Sequence, residues 1–263
     1  MSFVVNGIVT GTVDMGTGDR LITIISPDRG RFYASARGAR SSGSKIGAAC
    51  QQFVYGNFEI GERKGAHYVS SCSIIKCFKN MAADLGKMAL GYYVCELANE
   101  LSDEGEECDE LVRLVLNTLY LIDSDLKSCE LIKAVFELRA ISLSGYTPDL
   151  FGCVGCGMER AEIMYLDALN GVLICSDCLA RQNKQVPRIE NANDAVSAST
   201  LCPVSEATLA AIRYIVTAPE KKAFSFALTD ERDMDELVRV AEIYTLTQLG
   251  RPFKTLDFYH SVK

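Results

Sequence analysis

RLITIISPDRGRFYASARG, residues 20–38, contains two short runs rich in β-branched and aromatic residues, separated by Ser26-Pro27-Asp28-Arg29-Gly30. Proline pre-sets φ near the start of a turn and glycine closes it, so the stretch predicts a pair of adjacent strands. Similar runs lie on either side: FVVNGIVTGTV before it, and CQQFVYGNFEI and AHYVSSCSII after it, the last two punctuated by Gly61-Glu62-Arg63-Lys64-Gly65. Five strands in under 80 residues predict a small closed barrel of the OB type, because closure removes the unpaired edges that an open sheet would expose.

Beyond about Asn80 the apolar period changes to that of a helix. Leu85, Met88, Tyr92 and Cys95 recur at three and four residues, as do Leu111, Leu114, Val115 and Leu119, then Leu131, Val135 and Leu138. Ser128 is placed to cap the last of these and Gly145 to stop it. The acidic run 102–107 between the first two helices reads as a solvated loop. Residues 182–200 lack a clear period and read as a linker. Two further helices are expected over Ser205–Ala218 and Asp233–Leu249, with the apolar tail RPFKTLDFYH packed back on the body. The expected fold is therefore α+β and multidomain: a barrel over 1–79, a helical domain over 80–150 and again over 183–263, and an inserted cysteine module over 151–182.

That module is CVGCGMERAEIMYLDALNGVLICSDC, Cys153 to Cys178. A Cys-x-x-Cys turn brings two sulfurs to one metal, and a hairpin of this length carries a second such turn round to complete a tetrahedron. Tyr165-Leu166 and Val172-Leu173-Ile174 can pair across a turn containing Asn170-Gly171. A redox role would place one such motif at the start of a helix in a thioredoxin-like unit, which two pairs on a hairpin do not match. Four thiolates also leave no open coordination position for water. The expected cofactor is one structural Zn²⁺ per chain, held by Cys153, Cys156, Cys175 and Cys178.

The remaining seven of the eleven cysteines are scattered among apolar neighbours, where a thiol packs as a small hydrophobe. No secretory signal opens the chain and no apolar run approaches a membrane span, so a cytoplasmic protein without a membrane partner is expected.

A net charge of −7 argues against a polyanion partner until it is divided along the chain. Up to residue 80, ten cations stand against five acids, net +5, which leaves −12 for the remainder. The densest positive segment is Arg29 to Lys45, with Arg29, Arg31, Arg37, Arg40 and Lys45 and no acid among them. Phe32 and Tyr33 are interleaved. A barrel that binds single strands needs cations for phosphates and aromatic faces for bases, although alternate strand residues must fill the core, so one of the two aromatics belongs inside. The segment lacks the Gly-Lys-Ser/Thr ending of a nucleotide-binding loop. His67 and His260 form no catalytic arrangement, and no carboxylate spacing indicates paired metal ions. A non-enzymatic binding protein is expected, the other reading being an adaptor whose barrel and helices dock proteins. Lys127, Lys133 and Arg139 are candidates to receive an acidic tail, against the plainer reading of a solvated helix face.

Domain order and three stretches resemble the bacterial RecO recombination mediators: GTGDRLITIISPDRGRFYASARGARSSGSK, SGYTPDLFGCVGCG with GVLICSDC, and LGRPFKTLDF. The resemblance implies an OB-fold protein of the RecF repair pathway, associated with the nucleoid. Such a protein binds single- and double-stranded DNA, anneals complementary strands, contacts single-strand DNA-binding protein and works with RecR to load RecA. By position it assigns DNA contacts to Arg20, Arg29, Arg31, Arg37, Arg40 and Lys45, and zinc to the four cysteines. Ser41-Ser42-Gly43 stands where the family loop is often more basic, which implies a modest intrinsic affinity for DNA.

Overall fold

The computed structural model describes residues 2–161, 163–181 and 200–263. Five strands form the amino-terminal barrel: β1 (Ser2–Met15), β2 (Asp19–Ser26), β3 (Gly30–Ala36), β4 (Val54–Arg63) and β5 (Ala66–Cys77). They follow one another in the ring order β1-β2-β3-β5-β4, with β4 returning to β1. This is the expected OB arrangement. The last seam is narrow, since β3 and β5 meet as parallel strands at one paired position, Ser35 with Tyr68.

Alternation along the strands explains what fills the barrel. Val5, Val9, Ile22, Ile24, Phe32, Ala34, Phe58, Ile60 and Val69 point inward and form a single apolar cluster. Of the two aromatics on β3, Phe32 is the buried one and Tyr33 is exposed. The fourth strand begins at Val54 rather than at Cys50, because Phe53 has φ of 65° and leaves the extended region.

Two compact units divide the chain: residues 1–127 with 253–263, and residues 128–252. This division cuts across the expected helical boundaries. In the first unit the barrel is joined by α1 (Leu85–Glu100), α2 (Asp109–Ser124) and, after the intervening unit, α7 (Lys254–Val262). Helix α1 packs against α7, α2 and β1, so burial spreads round it to Ala89, Leu90, Tyr93, Val94 and Leu97, while Leu85 of the expected apolar stripe is exposed. Phe253, Leu256 and Tyr259 of the tail are buried, and Glu96 of α1 accepts hydrogen bonds from Thr255.

The acidic run does not behave as a free loop. Its acidic side chains are exposed, but Ser102 is buried and the backbone is docked: Arg31 N donates to Asp103 O at 3.2 Å, Gly105 N to Arg29 O at 2.9 Å and Cys108 N to Pro27 O at 2.8 Å. Backbone hydrogen bonding, which composition does not report, holds it on the β2–β3 turn.

The second unit contains α3 (Cys129–Leu143), α5 (Glu206–Thr217) and α6 (Glu231–Leu249) with the cysteine module. Ser128 caps α3 as expected, its hydroxyl accepting from Leu131 N, and Ser205 caps α5 in the same way. Lys133 is not a solvent-facing cation: it is 1% exposed and lies between Glu137 and Glu242 at 2.9 and 2.6 Å. Arg139 donates to the carbonyls of Ile215 and Val216 at the end of α5. Neither offers itself to an acidic tail, because each is already spent on neighbouring helices.

The module is a four-stranded sheet of order β6-β8-β7-β9, with β6 (Asp149–Cys153), β7 (Met164–Asp167), β8 (Val172–Cys175) and β9 (Leu201–Val204), and with short α4 (Ser176–Arg181) after β8. The expected hairpin is present, with Tyr165 opposite Ile174 and Leu166 opposite Leu173. Strands β6 and β9 add to it from flanking sequence too short to carry a pattern. The expected linker, apart from Thr200, lies outside the described residues. Among the scattered cysteines Cys50, Cys95 and Cys202 are buried, and Cys72, Cys108 and Cys129 half-buried; Cys77 is exposed at the end of β5 and fills no core.

Candidate metal centre and nucleic-acid interface

Both Cys-x-x-Cys pairs arrive at one point. Cys153 ends β6, Cys156 follows in the next turn, Cys175 ends β8, and Cys178 lies in the first turn of α4. Their sulfurs all lie within 4.8 Å of one another, and those of Cys156 and Cys175 are 3.7 Å apart. Sulfurs bound about 2.3 Å from a tetrahedral ion stand roughly 3.8 Å apart, so the cluster has the size to hold one such ion. Cys153 Sγ also accepts from the backbone of Gly155 at 3.4 Å and of Cys175 at 3.3 Å. Burial raises its pKa, but these N–H donors, with that of Cys156, outweigh it and bring the thiol down to about 6. Cys178 moves the other way, to about 12, through contact with the Cys156 and Cys175 sulfurs and through burial. Donors aimed at a ligating sulfur orient and stabilise it as a thiolate.

The six cations expected at DNA are distributed unequally. Asp14 holds two of them, Arg20 at 2.9 Å and Arg40 at 3.2 Å. Gly38 N donates to Asp19 and Arg40 N to Gly18 O, so the segment after β3 is tied to the β1–β2 turn. Arg31 donates to the carbonyl of Asn99, and Arg29 is stacked over the Phe3 ring at 4.0 Å. Both lie beside the docked acidic loop. Arg37 and Lys45 remain exposed.

Positive charge also gathers from outside the basic stretch Arg29 to Lys45. Ser35, Arg37, Arg63, Lys64, Ala66, His67 and Tyr68 line an open cleft of about 280 Å³ at the β3–β5 seam. Arg63 and Lys64 lie at the tip of the β4–β5 hairpin, whose Lys64 and Gly65 both have positive φ, 53° and 76°, as a two-residue turn of type I′ requires. Arg63 and Lys64 contribute to the barrel's positive charge, and the strand pairing brings them to Arg37. Tyr68 lies across Gly61 of β4: a Cβ there would stand 2.3 Å from the ring, so glycine is what lets the ring approach its neighbour so closely. On β3 the alternation sets Tyr33, Ser35 and Arg37 on one outward stripe.

No helix among the described residues is long and apolar enough to cross a membrane.

Comparison with known proteins covers both halves of the chain. A family model described as recombination protein O N terminal matches residues 1–78, and one described as recombination protein O C terminal matches residues 82–257. The DNA repair protein RecO of Acetivibrio thermocellus is 32% identical over 96% of this chain and 94% of its own length. That of Thermoanaerobacter sp. strain X514 is 26% identical over 95% and 93%, and that of Anaeromyxobacter sp. strain K is 33% identical over 69% and 72%. A barrel and a helical body with its four-cysteine module thus match in order and in extent, and the chain belongs to the RecO family of DNA repair proteins.

Proposed function

We propose that this protein is a non-enzymatic mediator of DNA repair and homologous recombination. It binds single- and double-stranded DNA through the barrel, anneals complementary strands and, with RecR, helps to load RecA onto DNA coated by single-strand DNA-binding protein. The family membership supports this reading, and one structural observation carries it: Arg37, Arg63 and Lys64 converge on the outer face of the barrel and, among the described residues, none of them is in a salt bridge.

Annealing needs no covalent step. Two polyanions repel, and cations that screen their phosphates while leaving base edges free lower the barrier to pairing. The four-cysteine cluster takes a structural Zn²⁺, whose coordination shell is filled by protein sulfur and leaves no position for a reacting water. Its contribution is to the folding of the module.

The test is a salt titration of binding to oligonucleotides by the full chain. About six cations on single-stranded phosphates give a slope of log K against log[salt] near −4, and a salt-insensitive interaction overturns the reading. A second reading, that barrel and helices only dock proteins, is favoured by the internal engagement of Arg20, Arg31 and Arg40. Charge reversal at Arg37 separates the two, since an adaptor keeps its interactions and a DNA binder loses affinity.

A further inference from the structure

The cleft at the β3–β5 seam combines features that a flat phosphate-binding surface does not need. Its cations come from two separate elements, Arg37 from the end of β3 and Arg63 with Lys64 from the β4–β5 turn. They surround an aromatic ring rather than a carboxylate. Glu62, beside Arg63, is paired with His67, and strand alternation carries it to the face opposite Gly61 and Tyr68. Ser35 faces the same cleft and donates to the His67 carbonyl at 3.3 Å.

Tyr68 is fixed from two sides. Its backbone pairs with Ser35 of β3 and with Gly61 of β4, and its ring rests on the Gly61 backbone while the residue remains 36% exposed. The ring is thus held against protein on one side and stays partly open to the cleft. His67 turns inward instead, edge-on to Phe3 and Phe32 at 5.5 and 5.8 Å, which anchors the strand beneath. Preorganised aromatic faces beside cations suit a base that has left its stack, because the ring loses little freedom on binding. A duplex offers its phosphates but keeps its bases stacked inside. A cleft of about 280 Å³ is large enough for a nucleotide unit rather than for a lone ion.

We propose that this cleft is a nucleotide pocket selective for single strands, in which Arg37, Arg63 and Lys64 hold the strand phosphate and Tyr68 takes the adjoining unstacked base on its ring. The inference rests on the DNA-binding reading and deepens it: it names the strand form and residues outside the basic stretch Arg29 to Lys45. Gly61 acts as a positioning residue, through Tyr68.

The decisive variant is Arg63→Gln with Lys64→Asn. Asn-Gly suits a type I′ turn, so the hairpin is preserved while two charges are removed. Lys221→Gln with Lys222→Gln, both exposed and in the other unit, removes the same charge elsewhere. Binding to an oligo-dT strand and to a duplex of equal length is measured on the full chain, with inorganic phosphate as competitor at matched ionic strength. The pocket variant is expected to lose about tenfold in affinity for the single strand and to flatten its salt slope by roughly 1.4, about 0.7 per lost contact. The duplex is expected to lose less and the control variant little. Gly61→Ala, which keeps every charge, is expected to reduce single-strand binding more than duplex binding. If the wild-type chain binds DNA and the pocket variant matches it, the pocket is refuted while the DNA reading stands. Equal losses on single strand and duplex overturn the selectivity. Displacement of the strand by inorganic phosphate alone shows an anion site without base recognition, which also overturns the proposal. A wild-type chain that binds neither DNA removes both readings.

Discussion

Gly30 and Asp103 meet so closely that a Cβ on Gly30 would stand 1.9 Å from the Asp103 carbonyl oxygen. Gly30 closes the β2–β3 turn with φ of 59°, and Asp103 opens the acidic loop after α1. The contact explains how a loop carrying four acidic side chains lies against a turn flanked by Arg29 and Arg31, and why those two arginines are less available to phosphate than their sequence implies.

Gly30→Ala is therefore expected to be among the more damaging small substitutions in the barrel. The positive φ alone costs a side-chain residue about 1–2 kcal/mol, and the backbone clash adds to it. Chemical denaturation with a barrel-specific probe should show a loss of at least about 2 kcal/mol, and an unchanged midpoint would contradict the docking of the acidic loop.

Asp14 pairs with both Arg20, which is largely buried, and Arg40, which is exposed. Asp14→Asn releases both, so single-strand affinity at low salt should rise, about two- to fivefold, with a steeper salt slope. Stability should fall by less than about 1 kcal/mol, since the carboxylate is half exposed. A fall in DNA affinity would mean that the paired geometry itself faces the strand.

The buried Lys133 is held by two carboxylates, and removing it strands them. Lys133→Ala should cost about 3–5 kcal/mol in unfolding experiments, whereas replacing all three groups by apolar residues of similar volume should cost far less. Burial lowers the Lys133 pKa, but Glu137 and Glu242 outweigh it and the net shift is upward from 10.5. A raised lysine pKa contributes stability in full below 10.5 and loses it as pH rises through the folded value. The penalty of Lys133→Ala should thus be flat through neutral pH and shrink only in alkali.

Zinc removal should act on one unit and spare the other. Purified chain is expected to carry one equivalent of zinc by elemental analysis, and Cys175→Ser to lose it. A structural zinc contributes on the order of 10 kcal/mol to its module, so the variant should expose β7 and β8 to proteolysis. Oligonucleotide binding by the barrel should persist, and its loss with the metal would place the interface elsewhere.

The parts legible from residue order are those governed by local rules. Alternation marked the five barrel strands, the helical period marked the helices, Ser128 announced its cap, and the spacing of four cysteines foretold their convergence. Strands β6 and β9 went unseen because four or five residues hold no period, and they exist by pairing with the hairpin between them. The stripe on α1 was misleading for a related reason: a helix packed against several neighbours buries residues all round, so amphipathicity no longer marks its inner face.

Charge tells the same story at the candidate interface. Chain order alone established that the barrel is cationic within an acidic molecule, because charge is a sum over residue types. Which cations are free is a matter of who stands beside them, and Asp14, Asn99 and Phe3 are distant in sequence from most of the arginines they engage. Tertiary structure engaged Arg20 and Arg31 in part-buried contacts, paired Arg40 with Asp14 at the surface, and joined Arg37 to Arg63 and Lys64 across a seam made by one strand pairing, since a Coulomb or hydrogen-bond partner is chosen by distance in space.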